Sequence, residues 1–269
     1  MNLLLKILSA SALQLLSTVG VILIFGLIVG LCAKGFYKGL GGARRGAALI
    51  TGVVGTPVHE GAHALACLIF GHRIVEISLF QLSDDGTLGY VKHKYNKRNV
   101  YQRCGNFFIG IAPIIAGALV LLLLLRLLCP AAFFGVYDSM TGEGGSFKAL
   151  LTAYAGVIRS VFGPKNFTDY RWWIFIVLGF TVALHMNLSR ADIKGSLSGL
   201  AALAVIMLLV NLIAGLCSRA ALQKLTAAVA AFGGYLTCFM LLSLLFSALI
   251  LIIGGIAYLI RRVAGERRI

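Results

Sequence analysis

The stretch Gly46–Phe70 reads GAALITGVVGTPVHEGAHALACLIF. It holds no lysine or arginine, and its one acidic residue is Glu60. As a helix rising ~1.5 Å per residue it would cover ~37 Å, enough for a hydrocarbon core of ~30 Å. The pattern predicts a membrane span, yet one that carries two imidazoles and a carboxylate as His59-Glu60-Gly61-Ala62-His63. A charged group at the centre of a spanning helix costs about 2.5–3.5 kcal/mol on insertion scales, so such groups are functional by default.

The rest of the chain fits the same solvent. Of 269 residues, 59% are hydrophobic and 12% charged, about half the ~25% charge of a soluble domain. That excludes a soluble enzyme, a disordered chain and a disulfide scaffold. The net charge of +15 sits in short connections between apolar runs. There it acts as a topology signal and meets anionic headgroups, so the expected surroundings are a lipid bilayer and no nucleic acid. Six cysteines (Cys32, Cys67, Cys104, Cys129, Cys217, Cys238) are scattered without a Cys-x-x-Cys pair. Neither a cysteine-type zinc site nor a disulfide framework is indicated.

Charge-free runs mark the other spans: Ile7–Ala33, Cys104–Leu125, Trp172–Ser189, Gly195–Ser218 and part of Leu225–Ile260. The last run would make a helix of ~54 Å, so a break is expected at Gly233-Gly234. The fold class is then an all-α polytopic membrane protein with about six transmembrane helices, one membrane domain over residues 1–269. Two connections carry structure of their own. Arg73–His93 alternates like a β-hairpin, with a turn at Asp84-Asp85-Gly86. Phe147–Phe162 has helical apolar spacing and is expected to lie on the membrane surface. A small excess of basic residues on the side holding both chain ends favours that side as cytoplasmic.

Residues i and i+4 of a helix share a face one turn apart. Two imidazoles so placed can both reach one Zn²⁺ at ~2.0–2.1 Å, with Glu60 beside the metal to deprotonate a water. With five histidines in the chain, a chance His-Glu-x-x-His is expected roughly 0.001 times. Thr56-Pro57 precedes the motif, and Pro favours the first turn of a helix with Thr as its cap. A kink or restart is expected there. Catalytic zinc sites commonly use three protein ligands. Three candidates for the third are Asp192, His185 and Glu76. Asp192 follows the fourth span on the membrane side where the second span ends. His185, seven residues earlier, is a ligand or second-sphere donor if the helix continues. Asn187 could hydrogen-bond a substrate. His72 and His93 read as loop histidines.

These residues resemble the site-2 protease family of intramembrane zinc metalloproteases. The likeness covers residues 46–195: the span Gly55–Gly71, a hairpin toward the membrane, the Gly- and Pro-containing span Gly105–Gly117, and a later span ending in Asn187 and Asp192. Residues 196–269 add C-terminal helices. The resemblance implies zinc on His59, His63 and Asp192, with Glu60 as the base, cleaving a peptide bond in or near a transmembrane segment of a protein substrate. The second motif departs from the family, since no proline lies between Asn187 and Asp192, and Ile193 replaces the usual glycine. A membrane protease of the kind that trims prenylated proteins shares His-Glu-x-x-His but takes a glutamate from a later apolar span, and this chain has none there. Two non-proteolytic readings remain: a transporter or channel using the cluster as a metal or proton path, and an inactive metal-binding scaffold. Basic connections suit a bacterial inner membrane.

Overall fold

Helix follows helix in the computed structural model, which describes residues 3–83, 86–140 and 147–265. α1 (Leu3–Leu15) passes through a π-helical turn into α2 (Val21–Leu40). A short 3₁₀ turn leads to α3 (Arg44–Ile69), which carries the His-Glu-x-x-His motif. An antiparallel hairpin follows, β1 (Arg73–Ser78) paired with β2 (Tyr90–Lys94), its register running from Arg73↔Lys94 to Ser78↔Tyr90 with an irregularity between Ile74 and Glu76. α4 (Val100–Leu128), α5 (Pro130–Met140), α6 (Phe147–Val161), α7 (Tyr170–Leu184), α8 (Arg190–Cys217) and α9 (Arg219–Val263) complete the chain.

Four helical stretches are long and apolar enough to cross a membrane: Leu3–Ile69, Val100–Leu128, Arg190–Cys217 and Arg219–Val263. They indicate an integral membrane protein. Tyr170–Leu184 is a shorter apolar helix. The outward faces agree, since Ile24, Leu27, Leu209, Ile213, Ile252 and Leu259 are exposed large hydrophobics. The helix expected from Phe147 is present as α6, with α5 before it.

Several local expectations are corrected. α3 runs through Pro57 without a restart, and Thr56 lies inside the helix rather than capping it. An internal proline removes one ladder hydrogen bond, but α3 is packed against two partners in the turn before it. Gly52 abuts Leu88 and Phe80 of the hairpin segment, and Gly55 abuts His185 and the Thr181 carbonyl of α7. The fourth span ends at Leu184 instead of Ser189, and a new helix starts at Arg190. α9 is unbroken through Gly233-Gly234. Gly233 instead lets α9 lie directly on the backbone of Ser17, the close approach that small residues give to packed membrane helices. The second strand is Tyr90–Lys94, two residues later than the expected Leu88, and the turn residues Asp84 and Asp85 lie outside the described residues.

The core forms where α2, α4, α7 and α9 meet. Phe36, Ile111, Ile114, Phe175, Leu242 and Phe246 are buried there in one cluster. α1 is held against α8 and α9 by a small apolar cluster of Ile7, Ala10 and Leu222 and by amides. Asn211 and Gln14 exchange two hydrogen bonds of 3.0 and 2.8 Å, and both are buried. Ser11 and Thr226 extend the network. In an apolar surround such pairs fix which helix faces meet.

Candidate metal centre

The helical spacing in α3 puts His59 and His63 one turn apart, and the structure turns their rings toward each other. Their Nε2 atoms are 3.2 Å apart. Two nitrogens bound to one tetrahedral zinc would be separated by about 3.3 Å.

Each ring is oriented from behind by a backbone carbonyl. His59 Nδ1 donates to the His185 carbonyl at 2.6 Å, and His63 Nδ1 donates to the Ile109 carbonyl at 2.8 Å. Carbonyls only accept, so both Nδ1 atoms carry the hydrogen in the neutral rings and both Nε2 atoms present lone pairs. Two lone pairs facing each other at this distance repel unless a cation lies between them. A carbonyl behind a metal-bound imidazole is the usual outer partner that fixes its tautomer.

The third group is Asp192. Its Oδ1 is 3.3 Å from His63 Nε2 and its Oδ2 3.9 Å from His59 Nε2. His59, His63 and Asp192 form a candidate metal-binding group whose ligand atoms all lie within 4.8 Å of one another. Asp192 arrives there because α7 stops early. Residues 186–189 are non-helical, and Ser189 caps α8 by accepting the Asp192 N–H at 3.1 Å, while Asp192 Oδ2 accepts the Ser189 N–H at 2.7 Å. This reciprocal capping box points the carboxylate back toward α3.

His185 does not reach the cluster with its ring. It ends α7, and its ring nitrogens bond Thr51 (3.1 Å) and Thr56 (3.4 Å) of α3. Its contribution is the carbonyl under His59. The expectation of a continuous helix from His185 to Asp192 is overturned with it. Asn187 is half-buried beside Gly30 of α2. Glu76, the third alternative, is on the exposed hairpin bonded to Lys92 (2.8 Å) and to the Tyr90 hydroxyl. Those two bonds hold its carboxyl below the ordinary glutamate value.

Glu60 is buried, and its side chain packs where the hairpin segment crosses α3. A Cβ on Gly89 would sit 2.8 Å from both Glu60 Cγ and Thr56 Cγ2. The hairpin therefore covers the motif as close as a bare backbone allows. No protein-family model, curated protein or solved structure matches this chain.

Two features escaped the sequence. The carbonyls of His185 and Ile109 orient the imidazoles, but every residue has a carbonyl, so no letter marks them. His72 lies in a connection as expected, but His93 belongs to β2. His72 is buried, and its Nδ1 lies 3.0 Å from His93 Nδ1. Burial, then the neighbouring His72 and His63, hold the His93 imidazole below its ordinary value of 6.5.

Proposed function

We propose that this chain is an intramembrane zinc metalloprotease that hydrolyses a peptide bond in or near a transmembrane segment of another protein. The observation that carries the reading is the convergence of two imidazole lone pairs and the Asp192 carboxylate on one point, one residue from Glu60.

The reading takes the chain to cross the membrane about six times. The end of α3, the start of α4, the end of α7 and the start of α8 then share one side. His63 lies six residues before Ile69, so the centre sits ~9 Å inside that end of α3. A substrate helix would be met near its end, where it frays most easily, and the small excess of basic residues favours that side as cytoplasmic.

His59, His63 and Asp192 would hold the zinc, which when bound supplies Lewis-acid polarisation of a carbonyl and a water of lowered pKa. Glu60 accepts the attacking water's proton and returns it to the leaving amine, as a general base and then acid. The hairpin segment over Glu60 offers strand edges to which an unwound substrate segment adds. Its closeness at Gly89 confines that segment to an extended form.

The test is Glu60→Gln in detergent-purified and reconstituted protein. The substrate probe is a single-span peptide with a Gly-Pro break near one end. Zinc per chain should be unchanged while cleavage falls by at least about 10²-fold. Cleavage at the unsubstituted rate would remove Glu60 as the base, and zinc-independent cleavage would remove the whole reading.

A further inference from the structure

α3 carries a third metal-ligating side chain in the same stripe. Cys67 is one turn beyond His63, as His63 is one turn beyond His59, and it is fully buried. The helix ends just after it in a way that returns a histidine to it. Gly71 adopts φ +66°, a left-handed conformation that favours glycine. The Gly71 N–H donates to the Leu68 carbonyl at 3.1 Å and the His72 N–H to the Cys67 carbonyl at 2.8 Å. This is a Schellman turn, which brings the residue two past the cap over the last helical turn. The two positions it joins usually make an apolar contact. Here they are a cysteine and a histidine.

His72 is oriented in the same way as the motif histidines. Its Nε2 donates to the Gln102 carbonyl at 2.7 Å, so its Nδ1 carries the lone pair. Tyr95 stacks on the ring at 5.0 Å between centroids, nearly parallel. The lone pair faces His93 Nδ1 at 3.0 Å. His93 comes from β2, opposite Ile74 of β1. The ligand atoms of Cys67, His72 and His93 lie within 4.8 Å of one another. Three elements thus each contribute one donor: the last turn of α3, the Schellman turn and the hairpin.

We propose that Cys67, His72 and His93 form a second metal site, which takes Zn²⁺ and clamps the hairpin to the end of α3. One thiolate with two imidazoles is a donor set that selects zinc over magnesium or calcium. On binding, the Cys67 S–H bond breaks, the sulfur bonds the metal, and the proton leaves to solvent. Three protein donors leave one tetrahedral position for water. The consequence is positional. The hairpin that lays Gly89 on Glu60 and Thr56 is tied to the helix bearing those residues, so the second ion fixes the covering strand over the first centre.

Cobalt distinguishes the two sites, because only the second has a sulfur ligand. The full chain in detergent is stripped with chelator and titrated with Co²⁺, reading the near-ultraviolet sulfur-to-cobalt band and bound metal per chain. The wild-type protein should bind two equivalents and show the band. A His59→Ala/His63→Ala variant should bind one and keep the band at full intensity. Cys67→Ser and, separately, His93→Ala should each lose one equivalent, the first with complete loss of the band. Absence of the band in wild type overturns the proposal, whatever the fate of the variants. So does one equivalent retained without the band in the double variant, or an unchanged metal content in Cys67→Ser.

Discussion

Asp192 does two jobs with one carboxylate. Its Oδ2 closes the capping box on the Ser189 N–H at 2.7 Å, and its Oδ1 stands 3.3 Å from His63 Nε2. The two jobs separate by substitution. Asp192→Asn keeps an oxygen for the Ser189 N–H but removes the charge. It should lower zinc affinity at least about tenfold, the scale on which even outer-sphere partners act, with little change in unfolding. Ser189→Ala should do the reverse, costing about 1 kcal/mol of stability while one equivalent of zinc stays on His59, His63 and Asp192. Zinc affinity measured by competition with a chromogenic chelator, beside denaturant unfolding, reads both. Equal zinc affinity in Asp192→Asn and wild type would take Asp192 out of the ligand set. At this scale the sequence was legible where chemistry is carried by side chains. The pairing of His59 with His63 follows from helical spacing, and the structure adds Asp192 to them in one candidate metal-binding group, from the first turn of α8 and not from the end of the fourth span. The sequence was silent on His72, because the partner that makes this histidine interesting lies across a chain reversal that only Gly71's positive φ creates.

Elements in this chain are decided by what packs on them more than by local signals. Pro57 and Gly233-Gly234 are breakers in water, yet α3 and α9 continue unbroken through them. In an apolar surround every backbone polar group must be satisfied within the helix, so breaking α9 would expose several at once. Four long apolar helical stretches were legible from charge-free runs, but helix ends were not. The new start at Arg190 follows from the capping box of Ser189 and Asp192, a signal the apolar run conceals. The amide network that joins α1 to α8 and α9 makes a test of how elements associate. Asn211→Leu keeps the branched shape but deprives Gln14 of both its bonds to Asn211 and leaves it Thr226. An interhelical hydrogen bond in a membrane protein is worth about 0.6 kcal/mol on average and up to ~1.7. The substitution should therefore cost about 1–2 kcal/mol by unfolding in mixed micelles. Gln14→Leu/Asn211→Leu should recover part of that loss, since no amide is then left unpaired. A double variant less stable than the single would show that α1 is held by packing and not by these amides.

At the scale of the molecule, the candidate centre is the point where four helices converge. α3 supplies His59 and His63, α4 the Ile109 carbonyl, α7 the His185 carbonyl, and α8 Asp192. α8 packs mainly on α4, where Gly110 meets Ser196 and Gly199 meets the Phe107 backbone, and it reaches α3 through Asp192. A ligand that binds only the folded state adds RT ln(1 + [L]/Kd), about 2.7 kcal/mol at a hundredfold excess over Kd. Chelation should therefore lower the thermal midpoint of the detergent-solubilised chain, and zinc should restore it, whereas magnesium should not, given two imidazoles among the donors. Acidification should act like the chelator, because the ligands must lose their protons to bind. Glu60→Gln should respond to chelation as fully as wild type, since the base is not a ligand. Asp192→Asn should show a smaller zinc-dependent rise. The part of the rise that survives in His59→Ala/His63→Ala would come from the Cys67 cluster. A midpoint indifferent to chelator in the wild-type protein would mean that no ion joins these four helices, and the facing lone pairs of His59 and His63 would then need a shared proton instead.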